Sequence, residues 1–219
     1  MHNSRLAILF GLFVGLIIGM TLLGNKITSL FGISVSVAIF MVPLTFLITD
    51  IVEEVYGKKV VKQFIFVGLF TLIVTFLYTA FFIWLAPHER FLNNEAYTTV
   101  FGSSLRIMLA SALAFLLAQL NDMYTFAWLK EKTSGKMLWL RNNISTMLSQ
   151  LFDSVVFMFV AFYMVSPLFT APFIIQLIIP YYLFKVLFAL LDTPFVYLGV
   201  NWLKKGDPAL PGGNDNLDR

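Results

Sequence analysis

Six long apolar runs, separated by shorter polar segments, dominate the chain. They cover residues 6–23, 33–50, 63–85, 105–123, 144–165 and 174–200. Each run is close to the roughly 20 residues with which an α-helix crosses the hydrocarbon core of a bilayer. Because lipid offers no partner for free backbone groups, a spanning segment of this kind folds as a helix. The pattern therefore predicts an all-α, polytopic membrane protein with six transmembrane helices.

Composition agrees with this class and narrows the chemistry. Hydrophobic residues make up 59% of the 219 positions and charged residues 12%, whereas soluble domains carry about 25% charged residues. There is no cysteine, and the two histidines, His2 and His88, lie near the N-terminus and in a polar connection. Disulfides, thiolate metal sites and histidine pairs are thus excluded, and we expect neither a metal nor another cofactor.

The distribution of basic residues predicts the orientation of the helices. If the N-terminus is cytoplasmic, eleven of the fifteen lysines and arginines fall in cytoplasmic segments, in agreement with the positive-inside rule. We therefore expect both termini inside (N-in/C-in). No linker divides the chain, so we expect one six-helix transmembrane domain over residues 1–205 and a disordered cytoplasmic tail over residues 206–219.

The fifth run, which follows Arg141, carries a polar stripe. Four residues spaced by 4, 3 and 4 positions share one helical face: Asn142, Thr146, Ser149 and Asp153. If the helix crosses the bilayer, Asp153 lies near the midplane, where a carboxylate costs roughly 2.5–3.5 kcal/mol on insertion scales. We therefore expect the stripe to face protein or a wet cavity that forms a solute pathway. A hydrogen-bonded seam between two helices would give the same stripe.

Two other runs also place polar groups on one helical face each. The fourth contributes Ser111, Gln119 and Asp122, and the sixth contributes Tyr181, Lys185 and Asp192. Helix-end capping would also explain Gln119 and Asp122, and snorkelling to an interface would explain Lys185. Carboxylates, amides and a lysine on apolar helices favour a solute with hydrogen-bonding edges, such as a planar heterocycle. Composition alone does not choose this solute over an amino acid or an ion.

Further polar residues lie near the ends of the runs, namely Asn25, Lys26, Asp50, Glu54 and Arg106. Asp50 and Glu54 are one helical turn apart and share a face if the helix continues. Each group also has a simpler interpretation. Asn25 and Lys26 would terminate a helix, Asp50 and Glu54 would form an interfacial acidic cluster, and Arg106 would anchor the outer interface.

Five short motifs in a fixed order go beyond composition. They are Asn25-Lys26-Ile27, Pro43-x5-Thr49-Asp50-x3-Glu54-x-Tyr56-Gly57, Gln119-x2-Asp122-x3-Phe126, Trp139-x-Arg141-x3-Ser145-Thr146-x2-Ser149-Gln150-x2-Asp153 and Lys185-x6-Asp192-x-Pro194-x2-Tyr197. Over roughly residues 20–200 this ordered set resembles the queuosine-precursor transporter family, also called the vitamin uptake transporter family. The resemblance implies a bacterial or archaeal inner-membrane protein. It also implies import of 7-cyano-7-deazaguanine and 7-aminomethyl-7-deazaguanine, precursors of the tRNA base queuosine.

On these motif positions, and at Arg106 from its place before Ala110-Ser111 in the fourth run, the resemblance suggests two groups of functional residues. The expected substrate-binding residues are Gln119, Asp122, Ser145, Thr146, Gln150, Asp153 and Lys185. The expected gating or coupling residues are Asn25, Lys26, Asp50, Glu54, Arg106 and Asp192. A protein of this kind contacts a small deazapurine and the lipid bilayer, and we expect no direct contact with nucleic acid.

The implied fold looks similar to the six-helix substrate-binding subunits of energy-coupling-factor vitamin importers. Those subunits dock a partner scaffold through small residues on the first helix. Gly11, Gly15 and Gly19 offer such a ridge here, unless they pack within the bundle. The second hypothesis is therefore a vitamin-like ligand-capture subunit that works with a separate ATP-driven module; a homo-oligomer is also open.

An enzyme and a channel are the remaining alternatives. We expect no enzyme, because Ser145, Ser149 and Asp153 have no partner base of a suitable type. Saturable uptake would argue against a channel.

Overall fold

The structure is a computed structural model that describes residues 4–30, 32–133, 138–191 and 193–205. Helices account for most of these residues. They are α1 (Ser4–Leu23), α2 (Val42–Tyr56), α3 (Lys58–Trp84), α4 (Asn94–Lys132), α5 (Leu138–Phe162), α6 (Ala171–Leu191) and α7 (Thr193–Lys204). A β-hairpin of β1 (Ile27–Leu30) and β2 (Ile33–Ser36) and a 3₁₀ turn (Val37–Phe40) connect α1 to α2.

Four helical segments in the described ranges are long and apolar enough to cross a membrane. They are Ser4–Leu23, Lys59–Trp84, Asn94–Ala118 and Ala171–Phe188. Outward-facing side chains are large and apolar, as at Phe66 and Leu77, which are 68% and 60% exposed. Lipid solvates such a surface, whereas water does not. The predicted multi-pass, mainly helical architecture is confirmed, whereas the count of six helices and their orientation stay predictions.

The second apolar run differs from its predicted form. Residues 33–50 were expected to be one helix, but Ile33–Ser36 forms an antiparallel strand with Ile27–Leu30. β-branched residues make up two of the four positions in each strand, and Gly32 adopts a φ of 80° between them. Pro43 then lies in the first turn of α2, where its missing N–H costs nothing. The proline therefore begins a helix instead of interrupting one.

Ser36 fixes the hairpin beneath the helices. Its side chain is fully buried, and its Oγ donates to the carbonyl of Gly24 at 2.7 Å. The same oxygen accepts from the N–H of Ala38 at 3.3 Å and so caps the 3₁₀ turn. One hydroxyl thus joins the end of α1 to the start of the segment that leads into α2.

The structure describes the last apolar run, residues 174–200, in two parts. Helix α6 is described up to Leu191 and helix α7 from Thr193. Pro194 lies in the first turn of α7, where its missing N–H costs nothing. Gly199 on α7 lies against α2, where a Cβ would come within 2.2 Å of Ile51 Cδ1. This glycine permits the close approach of α7 to α2.

Helix α4 extends beyond the fourth apolar run at both ends. It spans 39 residues, or about 58 Å at a rise of ~1.5 Å per residue. It therefore takes in residues 94–103 of the polar segment before the run and residues 130–132 of the basic segment after it. The charged segment over residues 53–59 is helical except at Gly57, which separates α2 from α3. Gly57 has a φ of 78° and so allows the chain to turn between the two helices.

Buried apolar side chains form two clusters. One combines β2, α4, α5 and α6 around residues such as Met158 and Leu177. The other combines α1, α2, α3 and α7 around residues such as Phe64 and Leu203. Members of both clusters line a common cavity, Phe13 from the second and Phe157 from the first.

Candidate functional site

A cavity of about 430 Å³ lies among helices α1 to α6. Small-molecule sites in proteins have volumes of about 300–1,000 Å³ and mainly apolar walls with a few polar groups. This wall fits that description. Its aromatic residues are Phe13, Phe46, Phe115, Phe157 and Tyr181, and its polar side chains include Thr21, Thr45, Thr49, Ser111, Ser149, Gln150, Asp153 and Lys185.

An ion pair between α5 and α6 lies in the cavity wall. Lys185 Nζ is 2.6 Å from Asp153 Oδ2, and the two side chains are 6% and 27% exposed. Lys185 thus does not extend to a bilayer interface, and the expectation that Asp153 faces the protein interior is confirmed. Leaving either charge buried without the other would be costly. The pair therefore stabilises the contact of α5 with α6 and places a carboxylate at the cavity.

An aromatic ring also contacts the lysine. Lys185 Nζ lies 4.8 Å from the centroid of the Tyr181 ring, which is within range of a cation–π interaction. That ring stacks on Phe157 with centroids 5.9 Å apart and an interplanar angle of 15°. Because Tyr181 is one helical turn before Lys185, the sequence of α6 sets this geometry locally. The ammonium thus contacts both a carboxylate and an aromatic ring.

Gln150 presents an open hydrogen-bond acceptor one turn before Asp153. Its Oε1 is buried, and no described residue donates a hydrogen bond to it. A buried polar atom without a partner costs about 1–3 kcal/mol, so such atoms point to a ligand or water. Residues three apart on a helix share a face, and Gln150 and Asp153 both line the cavity.

The threonine hydroxyls of the wall act as acceptors toward the cavity. Thr21 Oγ1 donates to the carbonyls of Ile17 and Ile18 at 3.1 and 2.9 Å. Thr45 donates to a carbonyl of its own helix at 2.7 Å, and Thr49 does so at 2.8 Å. A hydroxyl has one donor and two lone pairs, so these groups offer only lone pairs to a solute. Together with the carboxylate and the amide oxygen, they make a wall that suits N–H and O–H donors.

The structure brings together three of the expected substrate-binding residues, namely Gln150, Asp153 and Lys185. The side chains of Gln119, Asp122, Ser145 and Thr146 lie outside the described residues, as does all of Asp192. Thr21 is a wall residue that sequence reasoning missed. Its signal was weak, because one threonine in an apolar run is common.

The other expected gating residues lie away from the cavity wall. Lys26, Asp50 and Glu54 are exposed. Asn25 Nδ2 donates to Ser103 Oγ at 2.9 Å and so joins the end of α1 to α4. Their predicted roles stay predictions.

Arg106 joins α4 to the end of α5. Its Nε donates to the carbonyl of Val160 at 2.7 Å, and its NH2 group donates to the carbonyl of Tyr163. The last carbonyls of a helix lack intrahelical partners and carry partial negative charge. Arg106 therefore satisfies the C-terminus of α5 instead of lining the cavity.

These features define a class, a multi-pass membrane protein with a cavity of mainly apolar walls that carry a few polar groups. Residues 36–199 match the family model described as "Putative vitamin uptake transporter". That match covers well over half of the chain, so the chain belongs to this family. The predicted resemblance is thereby confirmed. The family is one of transporters and not of enzymes, which also confirms the expectation that the chain is no enzyme.

The similarity to two relatives covers most of the chain. The "Probable queuosine precursor transporter" of Bacillus subtilis (strain 168) is 32% identical over 174 residues, which are 78% of this chain and 74% of that protein. The "Queuosine precursor transporter" of Escherichia coli (strain K12) is 26% identical over 163 residues, which are 74% of this chain and 71% of that protein. No solved structure matches the chain significantly.

Proposed function

We propose that the protein imports queuosine precursors, 7-cyano-7-deazaguanine and 7-aminomethyl-7-deazaguanine, across the inner membrane for tRNA queuosine salvage. The names of its relatives support this solute class. Within the chain, the observation that carries the proposal is the Asp153–Lys185 pair beside Gln150 in a cavity among the helices. A polar cluster of this kind is expensive among membrane helices and points to a solute.

A guanine-type ring complements this cavity. Its hydrogen-bonding edge presents neighbouring N–H groups, and a carboxylate can accept several such bonds. Asp153 Oδ2 is used by Lys185, and the described residues give Oδ1 no hydrogen bond. In our proposal Oδ1 and Gln150 Oε1 accept from the donor edge of the ring. Other aromatic side chains of the wall, such as Phe46 and Phe115, contact its flat surface.

The proposal keeps the predicted topology, one domain over residues 1–205 with six transmembrane helices in an N-in/C-in orientation. It assigns Gln119, Asp122, Ser145 and Thr146 to the same solute pathway. It assigns gating or coupling to six residues, namely Asn25, Lys26, Asp50, Glu54, Arg106 and Asp192. Transport by the lone protein, as a carrier or facilitator, is the form we favour.

One observation favours a second candidate, a ligand-capture subunit of an ATP-driven importer. Within the described part of the chain, a Cβ built on Gly11 or Gly15 meets nothing within 4 Å. The small-residue ridge of α1 is therefore largely unused inside the bundle and is open to a partner. Purified protein alone in liposomes separates the two candidates, because a capture subunit binds the solute but does not transport it.

Uptake in cells tests the leading proposal. Cells that neither make nor import queuosine precursors receive the wild-type protein, Asp153→Asn or Glu53→Gln, and the queuosine content of their tRNA is measured. Glu53 is an exposed carboxylate on α2 outside the cavity wall, so it matches the charge change without touching the site. We expect uptake with wild type and Glu53→Gln.

For Asp153→Asn we expect at least a roughly tenfold loss, because a hydrogen bond to a charged group contributes about 1.5–3 kcal/mol. Membrane levels of each variant are compared by immunoblot. Lack of uptake by wild type would overturn the solute assignment. Wild-type uptake by Asp153→Asn would remove Asp153 from the site.

A further inference from the structure

We propose that Lys185 sets the charge preference of the cavity, so that the protein binds a neutral solute more tightly than a cationic solute of the same shape. This inference rests on the proposed function and deepens it. The two solutes of the proposed function differ in charge. The nitrile of 7-cyano-7-deazaguanine is neutral, whereas the aminomethyl group of 7-aminomethyl-7-deazaguanine is protonated near pH 7, as a lysine amine is.

The charges of the wall are balanced. Among the described residues that line the cavity, Asp153 and Lys185 are the charged ones, and they contact each other at 2.6 Å. Their formal charges cancel, so a solute in the cavity meets strong local dipoles but no net charge. Neutral N–H donors can still bind the free Oδ1 of Asp153, because an ionised carboxylate has two acceptor oxygens.

A cationic solute meets a different balance. Moving an ammonium from water into a mainly apolar cavity carries a desolvation cost, which a nearby opposite charge offsets. Here the negative charge of Asp153 is already offset by an ammonium in direct contact with it. A second ammonium would therefore gain little from Asp153 and would be repelled by Lys185.

Displacing Lys185 is not an easy alternative. Its side chain is 6% exposed, and its Nζ also lies 4.8 Å from the centroid of the Tyr181 ring. A lysine pushed away from Asp153 would be a buried cation without an anion, which is strongly unfavourable. The neutral solute is thus favoured whether or not the pair stays closed.

Competition binding to the purified protein tests this inference. The affinities of 7-cyano-7-deazaguanine and 7-aminomethyl-7-deazaguanine are measured for each variant, and their ratio is compared. We expect wild type to favour the nitrile. Lys185→Met uncovers Asp153 and should shift the ratio at least tenfold toward the amine. Lys185→Arg keeps the charge and should keep the preference of wild type.

Asp153→Asn should shift the affinity ratio in the opposite direction. This second test does not require that Lys185→Met folds. It leaves Lys185 as an uncompensated cation, so both solutes should bind more weakly and the ratio should shift further toward the nitrile. The double variant Asp153→Asn/Lys185→Met removes both charges and should again favour the nitrile. Size-exclusion chromatography checks that each variant is folded and monodisperse.

Two failures are distinguishable. If wild type binds neither compound, the proposed function is overturned and this inference with it. If wild type binds at least one compound but the ratio does not move in opposite directions in the two single variants, only the inference on Lys185 is overturned.

Discussion

Removing one partner of the Asp153–Lys185 pair should destabilise the protein more than removing both. In the structure the two groups are 2.6 Å apart, with side-chain exposures of 27% and 6%. Deletion of one partner of a fully buried pair costs about 3–5 kcal/mol, because the other charge stays buried alone. Asp153 is partly open to the cavity, where water screens it. We therefore expect a smaller loss of about 2–3 kcal/mol for Asp153→Asn and for Lys185→Met.

The double variant should lose only about 1–2 kcal/mol, because no uncompensated charge remains. The expected coupling energy is then about 3 kcal/mol, at the upper end for residues in contact. Equilibrium unfolding of the four proteins in one detergent measures it directly. Additivity of the two single variants to within about 0.5 kcal/mol would refute the buried ion pair.

Three further predictions concern other parts of the molecule. Gln150→Leu should raise the stability of the ligand-free protein by about 1 kcal/mol in thermal unfolding, because it removes a buried acceptor without a described partner. The same variant should bind deazaguanines more weakly, and unchanged binding would contradict the site. Gly199→Ala should lower the free energy of unfolding by about 1–2 kcal/mol through contact with Ile51, whereas Gly15→Ala should stabilise α1 by up to about 1 kcal/mol. Equal effects of the two variants in thermal unfolding would argue against the close packing of α7 on α2. Arg106→Gln should lower the free energy of unfolding by about 1–3 kcal/mol, because the hydrogen bonds of Arg106 to the end of α5 are lost. Amide hydrogen exchange at the end of α5 should become faster, and unchanged exchange would exclude a stabilising role of Arg106 there.

The sequence predicts the chemistry of the cavity better than its geometry. Asp153 and Lys185 could be selected from the sequence alone, because a charge on an apolar helix is expensive in lipid whatever the fold. That they contact each other could not be selected, since this depends on the relative rotation of two helices whose residues lie 32 positions apart in the chain. Spacing within one helix carries no information about a second helix.

The hairpin before α2 shows a second limit. A membrane protein is expected to place helices in its apolar runs, so residues 33–50 were interpreted as one helix. The β-branched residues of β1 and β2 and the turn at Gly32 are the signals that favour strands locally. Ser36 then fixes the hairpin through contacts with Gly24 and Ala38. These contacts join residues from different elements, so the local sequence does not reveal them. The length of the apolar run therefore favours a helix in a prediction from sequence, although the local residues favour strands.

A structure of the protein with bound 7-cyano-7-deazaguanine tests the central claim most directly. We predict the ring in the cavity among α1 to α6, with its donor edge within about 3.2 Å of Asp153 Oδ1 and of the Gln150 amide and with Lys185 still paired to Asp153. A ring bound elsewhere, or bound in the cavity without contact to Asp153 and Gln150, would contradict the account.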